Sequence, residues 1–148
     1  MDEKVTRLKT PEDCEKFAKN VTATNPELAM EARRRAVELR AAAYGAKSEP
    51  EKEALCAVYA YEEALTKKNG KRTHASRTWQ MIKRHGIIAA VERAVNREAE
   101  TAGFTALAEM GMQDYAFEAV ILRHPNLFSP EAVERSKVRM ESWNQTHG

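Results

Sequence analysis

Seven cations share one acid-free run. Residues 64–91 contain no Asp or Glu, although acids make up 22 of the 148 residues. The run holds Lys67, Lys68, Lys71, Arg72, Arg77, Lys83 and Arg84, together with His74, His85 and Trp79. Without those cations the rest of the chain carries 17 Lys and Arg against 22 Asp and Glu, so a mildly acidic body bears one basic segment. Ammonium and guanidinium groups clustered in this way suit an anionic partner, nucleic acid above all, through contacts to phosphate oxygens. Ser76 adds a hydroxyl for phosphate, and the Trp79 indole adds a face on which a base can stack.

Two short helices joined at Gly86 have about the length of a helix-turn-helix. On the second of them Arg93, Asn96 and Arg97 are residue types that reach guanine and adenine edges in a major groove. That helix begins with the apolar pair Ile87-Ile88 and places Glu92 outward beside Arg93. The loop and the first helix are therefore the stronger candidates for nucleic-acid contact. Some of these residues also have a plainer reading. Lys67 and Lys68 suit the negative end of a helix dipole. Trp79 suits packing with Ile82 onto the core. Arg34 and Arg35 have Glu31 and Glu38 at helical ion-pair spacing, and the triplet Arg33, Arg34 and Arg35 reads as a solvated face.

Other chemistry finds little support. The histidines His74, His85, His124 and His147 show no metal-ligand spacing, and neither Cys14 nor Cys56 has a histidine close in sequence. Glu62 and Glu63 are adjacent and point to different sides of a helix, which does not suit an acid–base pair. Glu98 and Glu100 likewise lack a partner pattern. No phosphate-binding glycine loop or nucleophile elbow is present. The sequence thus predicts no catalytic residues, no metal and no cofactor, and a protein that is not an enzyme.

These residues must be positioned by helices. Thr10-Pro11-Glu12, Asn25-Pro26-Glu27 and Ser129-Pro130-Glu131 each read as an N-cap, a proline at the first helical position and an acid near the positive dipole end. Ser48 with Glu51 and Thr10 with Asp13 have capping-box spacing. Glycines at 45, 70, 86, 103 and 111 mark helix ends. The pair Asn69-Gly70 reads as a helix C-cap in preference to a hairpin turn. Apolar residues recur with helical period: Cys14, Phe17, Ala18 and Val21; Leu28, Ala32, Ala36 and Leu39; Ala54, Val58, Tyr61 and Leu65. Further helices are expected at 76–85, with Ser76 as its cap, at 87 to about 97, weakly at 104–110, at 113–123, and from Pro130 to about Trp143. No alternating strand pattern of useful length occurs. The segment 104–128, rich in Met and Phe, reads as core before it reads as an interaction surface.

The expected fold is all-α: one domain over 1–148, a bundle of about six to eight helices largely in antiparallel hairpins. It comprises a helical hairpin at 11–44, a central helix at 49–69, a basic loop with short helices at 70–98, and a second hairpin at 104–143. No apolar run reaches the roughly 20 residues that span a bilayer, and the charged start lacks a signal-peptide core, so no membrane partner and a cytoplasmic location are expected. Two cysteines are too few for a disulfide scaffold. The expected function is a nucleic-acid-binding helical module, with DNA the leading partner. The alternative is a protein-interaction or inhibitor module binding an acidic partner. Oligomeric state is not legible.

Overall fold

The structure, a computed structural model, describes residues 2–96 and 100–147, with the side chains at 100–103, 146 and 147 left aside. It is all-α, with no strand among the described residues. The chain divides into two compact units, Met1–Ala46 and Lys47–Gly148.

The first unit contains α1 (Glu3–Thr6), α2 (Pro11–Val21) and α3 (Pro26–Tyr44). Thr10 Oγ1 accepts from the Asp13 N–H and Asn25 Oδ1 from the Leu28 N–H, both at 3.1 Å, so the proline-marked starts are capped as expected. Helices α2 and α3 pack as a hairpin around Val5, Ala18, Leu28, Ala29 and Ala32. The arginine triplet is more engaged than a solvated face: Arg35 Nε and Nη2 donate to the Leu8 carbonyl, at 3.3 and 3.2 Å, tying α3 to the turn after α1. Burial pushes the Cys14 thiol up, against the neighbouring Arg35 and Arg40 cations.

The second unit is built around α4 (Glu49–Asn69), with α5 (Ser76–His85), α6 (Ile87–Val95), α7 (Glu100–Glu109), α8 (Phe117–Arg123) and α9 (Pro130–His147). Helix α4 packs against α6, α7 and α8, and α9 packs on α8. This encloses the middle of α4 on several sides, so its buried residues run almost without a break from Ala54 to Ala64 and include Glu62 and Glu63. The surrounding core contains Val58, Met81, Ile82, Val91, Val95, Phe117, Val120, Ile121 and Phe128.

Four local expectations change. Gly103 lies inside α7, which spans Glu100–Glu109, and does not end a helix. The stretch 113–123 is not one helix: a 3₁₀ turn at Gln113–Tyr115 precedes α8, and Ala116 between them is extended with ψ 153°. The last helix runs past Trp143 to His147. Residue Ala75, not Ser76, is the N-cap of α5, and no side chain caps that end.

Candidate nucleic-acid interface

Helix α4 ends where Gly70 adopts φ 71° and its N–H bonds to the Thr66 carbonyl. A left-handed C-cap of this kind suits glycine, which has no Cβ to clash. Lys67 and Lys68 occupy the last turn of α4, where the dipole favours them. The following loop is pinned back onto α4. The Thr73 N–H donates to Thr66 Oγ1 at 3.0 Å, Thr73 Oγ1 donates to the Lys71 carbonyl at 2.9 Å, and Asn69 Nδ2 donates to Thr73 Oγ1 at 3.1 Å.

The firmest anchor is Glu62, whose residue is 1% exposed. Its Oε2 accepts from the Ala75 backbone N–H at 2.8 Å and from the Trp79 indole N–H at 2.7 Å, and the His74 Nδ1 lies 3.4 Å away. A carboxylate buried here is matched by donors, as burial of a polar group requires. One backbone donor at the uncapped start of α5 is thereby satisfied by a side chain from another helix. The neighbouring Glu63 forms an ion pair with Arg72 at 3.1 Å. Adjacent glutamates do point to different sides of α4. Because the helix is enclosed, both sides are interior, and the two carboxylates hold the loop and α5 in place.

These contacts sort the basic segment. Arg72 is committed to Glu63. Trp79 is half-buried, held by Glu62, with its ring centroid 5.2 Å from that of Tyr59. Thr78, Met81 and Ile82 face the core, which turns Arg77, Gln80, Lys83 and Arg84 to solvent. Lys67, Lys68, Lys71 and Ser76 are exposed too. Among the described residues, Lys67, Lys68, Lys71, Arg77, Lys83 and Arg84 form no ion pair.

Gly86, at φ 91°, joins α5 to α6, and the two helices pack on each other. Ala90, Val91, Ala94 and Val95 are buried, leaving Arg93 and Asn96 exposed. Glu92 does not face outward as the sequence suggests: its Oε1 accepts the Ser129 backbone N–H at 2.6 Å, linking α6 to the start of α9. That removes one acid from beside Arg93. The Asn96 carbonyl accepts from Arg135 at 2.6 Å. Arg97, the third candidate base contact, and Glu98 lie outside the described residues. Arg84 and Arg93 reach a common neighbour, His85: slight desolvation and the fields of Arg93 and Arg84 lower its pKa. Arg93 on α6 thus lies within electrostatic reach of the end of α5.

Other charged groups are structural. Glu53 Oε2 lies 2.6 Å from His124 Nε2, and its Oε1 pairs with Arg123, joining α4 to the end of α8. Glu118, 3% exposed, pairs with Arg139 of α9 at 2.8 Å. Cys14 and Cys56 are buried and not joined in a disulfide. Among the described residues no three His, Cys, Asp or Glu side chains come together as metal ligands, and no helix is long and apolar enough to cross a membrane.

The carboxylate anchors were the part that sequence reasoning missed. Their only signal is position: Glu62 and Glu63 interrupt an otherwise apolar stretch of α4, where a solvated face is implausible. No protein-family model matches the chain, and no curated protein and no solved structure matches it.

Proposed function

We propose that this protein is a non-enzymatic nucleic-acid-binding helical module, with DNA its partner, and that Lys67, Lys68, Lys71, Arg77, Lys83 and Arg84 supply its phosphate contacts. The observation that carries this is the persistence of these exposed cations without ion pairs among the described residues, on a loop and helix that buried carboxylates hold in place. Surface cations that serve only solubility need no such rigid mounting. A pre-ordered loop loses less conformational entropy on binding. Arg93 and Asn96 extend the positive region along α6 and remain the candidate base contacts. Trp79 contributes by fixing α5, since its indole N–H is already engaged. A cytoplasmic setting is consistent with two cysteines that form no disulfide.

The test is a binding titration with duplex DNA, single-stranded DNA and RNA at two salt concentrations. Affinity should fall steeply with salt, with a log–log slope of about −0.9 for each phosphate neutralised on duplex DNA. Absence of binding at low salt, or binding indifferent to Arg77→Ala with Arg84→Ala, would refute the proposal. A partner from lysate that persists after nuclease digestion would point instead to an acidic protein.

A further inference from the structure

Helices α4 and α7 pack together, and a groove of about 730 Å³ opens between them. Ala64, Ala106 and Met110 form its apolar part, with Ala64 and Met110 buried. Exposed Lys67 and Lys68 stand on the α4 side, and exposed Glu109 stands on the α7 side. The volume falls within the range of about 300–1,000 Å³ typical of small-molecule sites and is ample for one nucleotide.

We infer that this groove receives an unpaired nucleotide whose base carries an exocyclic amino group, an inference that rests on the nucleic-acid reading above. The small side chains of Ala64 and Ala106 let a planar ring approach closely. The Met110 thioether is polarisable and packs well against aromatic faces. Lys67 and Lys68 offer ammonium groups to the phosphate, and their place at the end of α4 leads directly into the basic loop. Glu109 decides the choice of base. A carboxylate accepts from the exocyclic amino group of cytosine, whereas thymine has a carbonyl oxygen at that position, which repels the carboxylate and leaves only the ring N–H as a donor. It also disfavours an acidic peptide as occupant, because one wall would repel what the other attracts. A nucleotide presents both an anion for the lysines and an N–H donor for the glutamate.

The experiment measures fluorescence anisotropy at low salt with oligo-dC, oligo-dT and a duplex, each about 12 nucleotides long, a length within the site sizes of single-strand binders. The wild-type protein should bind oligo-dC about fivefold more tightly than oligo-dT, an effect of the size one good hydrogen bond conveys. Glu109→Gln, a conservative surface change, should remove that preference. Ala106→Trp, which fills the groove, should weaken oligo-dC binding relative to the duplex by about tenfold. Equal binding of the two single strands by the wild type, or an unchanged ratio in Glu109→Gln, overturns the groove assignment while leaving duplex binding as support for the broader reading. Displacement of oligo-dC by a poly-glutamate peptide of matched charge as readily as by unlabelled oligo-dC also overturns it. Failure of all three nucleic acids to bind overturns both proposals.

Discussion

The indole N–H of Trp79 donates to the buried carboxylate of Glu62 at 2.7 Å, the same oxygen that receives the Ala75 N–H at the start of α5. One side chain of the central helix thereby sets both the entry of α5 and its rotation about its own axis. Glu62→Ala should cost roughly 2–4 kcal/mol, because buried donors lose their acceptor. Trp79→Phe, which keeps most of the ring packing and the Ala75 contact, should cost about 1–2 kcal/mol. Urea denaturation of the two variants measures the difference, and equal losses would argue against Glu62 as the shared anchor.

Binding and stability should separate along the basic segment. Arg77→Ala and Lys83→Ala alter exposed side chains and should change stability by no more than about 0.5 kcal/mol while weakening DNA binding. Arg72→Ala strips Glu63 of its cation and should destabilise the fold by about 1–3 kcal/mol, less than for a fully buried pair because the arginine is partly exposed. Paired thermal melts and DNA titrations on the three variants check this ordering.

His85 should report bound phosphate. In the free protein slight desolvation and the Arg93 and Arg84 charges disfavour its protonated form. A phosphate placed among these cations favours that form, so binding should raise the His85 pKa and take up protons. Affinity should then decline as pH rises through the raised value. An NMR titration of the imidazole with and without DNA measures the shift, and an unmoved His85 would place the phosphate elsewhere.

Glu53 should shape the acid limb of stability. Burial opposes its ionisation, yet hydrogen bonds from His124 and Arg123 overcome this and hold its pKa below the ordinary value. The stabilisation is present above the unfolded value of about 4.3 and is lost as pH falls through the lower folded one. Glu53→Gln should therefore cost more at pH 7 than at pH 3, as denaturant titrations at the two pH values would register.

The Glu118–Arg139 pair makes the opposite case. Burial pushes the Glu118 carboxyl up even with Arg139 beside it. A raised carboxyl contributes stability below its unfolded value that is lost as pH rises through the folded one. Arg139→Met removes the compensating cation and should cost about 3–5 kcal/mol at neutral pH. The loss should shrink in acid, and adding Glu118→Met should restore much of it. A double-mutant cycle at two pH values tests both expectations.

The sequence by itself determined the helices and most of their ends. Thr10, Asn25 and Ser48 cap as their spacing requires, and Gly70 and Gly86 end α4 and α5, because caps and left-handed glycines are local devices acting within a few residues. It also determined that Lys71, Arg72, Arg77, Lys83 and Arg84 have no acid within helical reach along the chain. Only the tertiary structure decided which of them are engaged. Glu63 reaches Arg72 and Glu62 reaches Trp79 across nine and 17 residues, distances that no helical period relates. The same packing turned Glu92 from a neighbour of Arg93 into an acceptor for Ser129. Enclosure of α4 is the physical reason: a buried carboxylate must find donors, and whichever segment folds over it is the segment it holds.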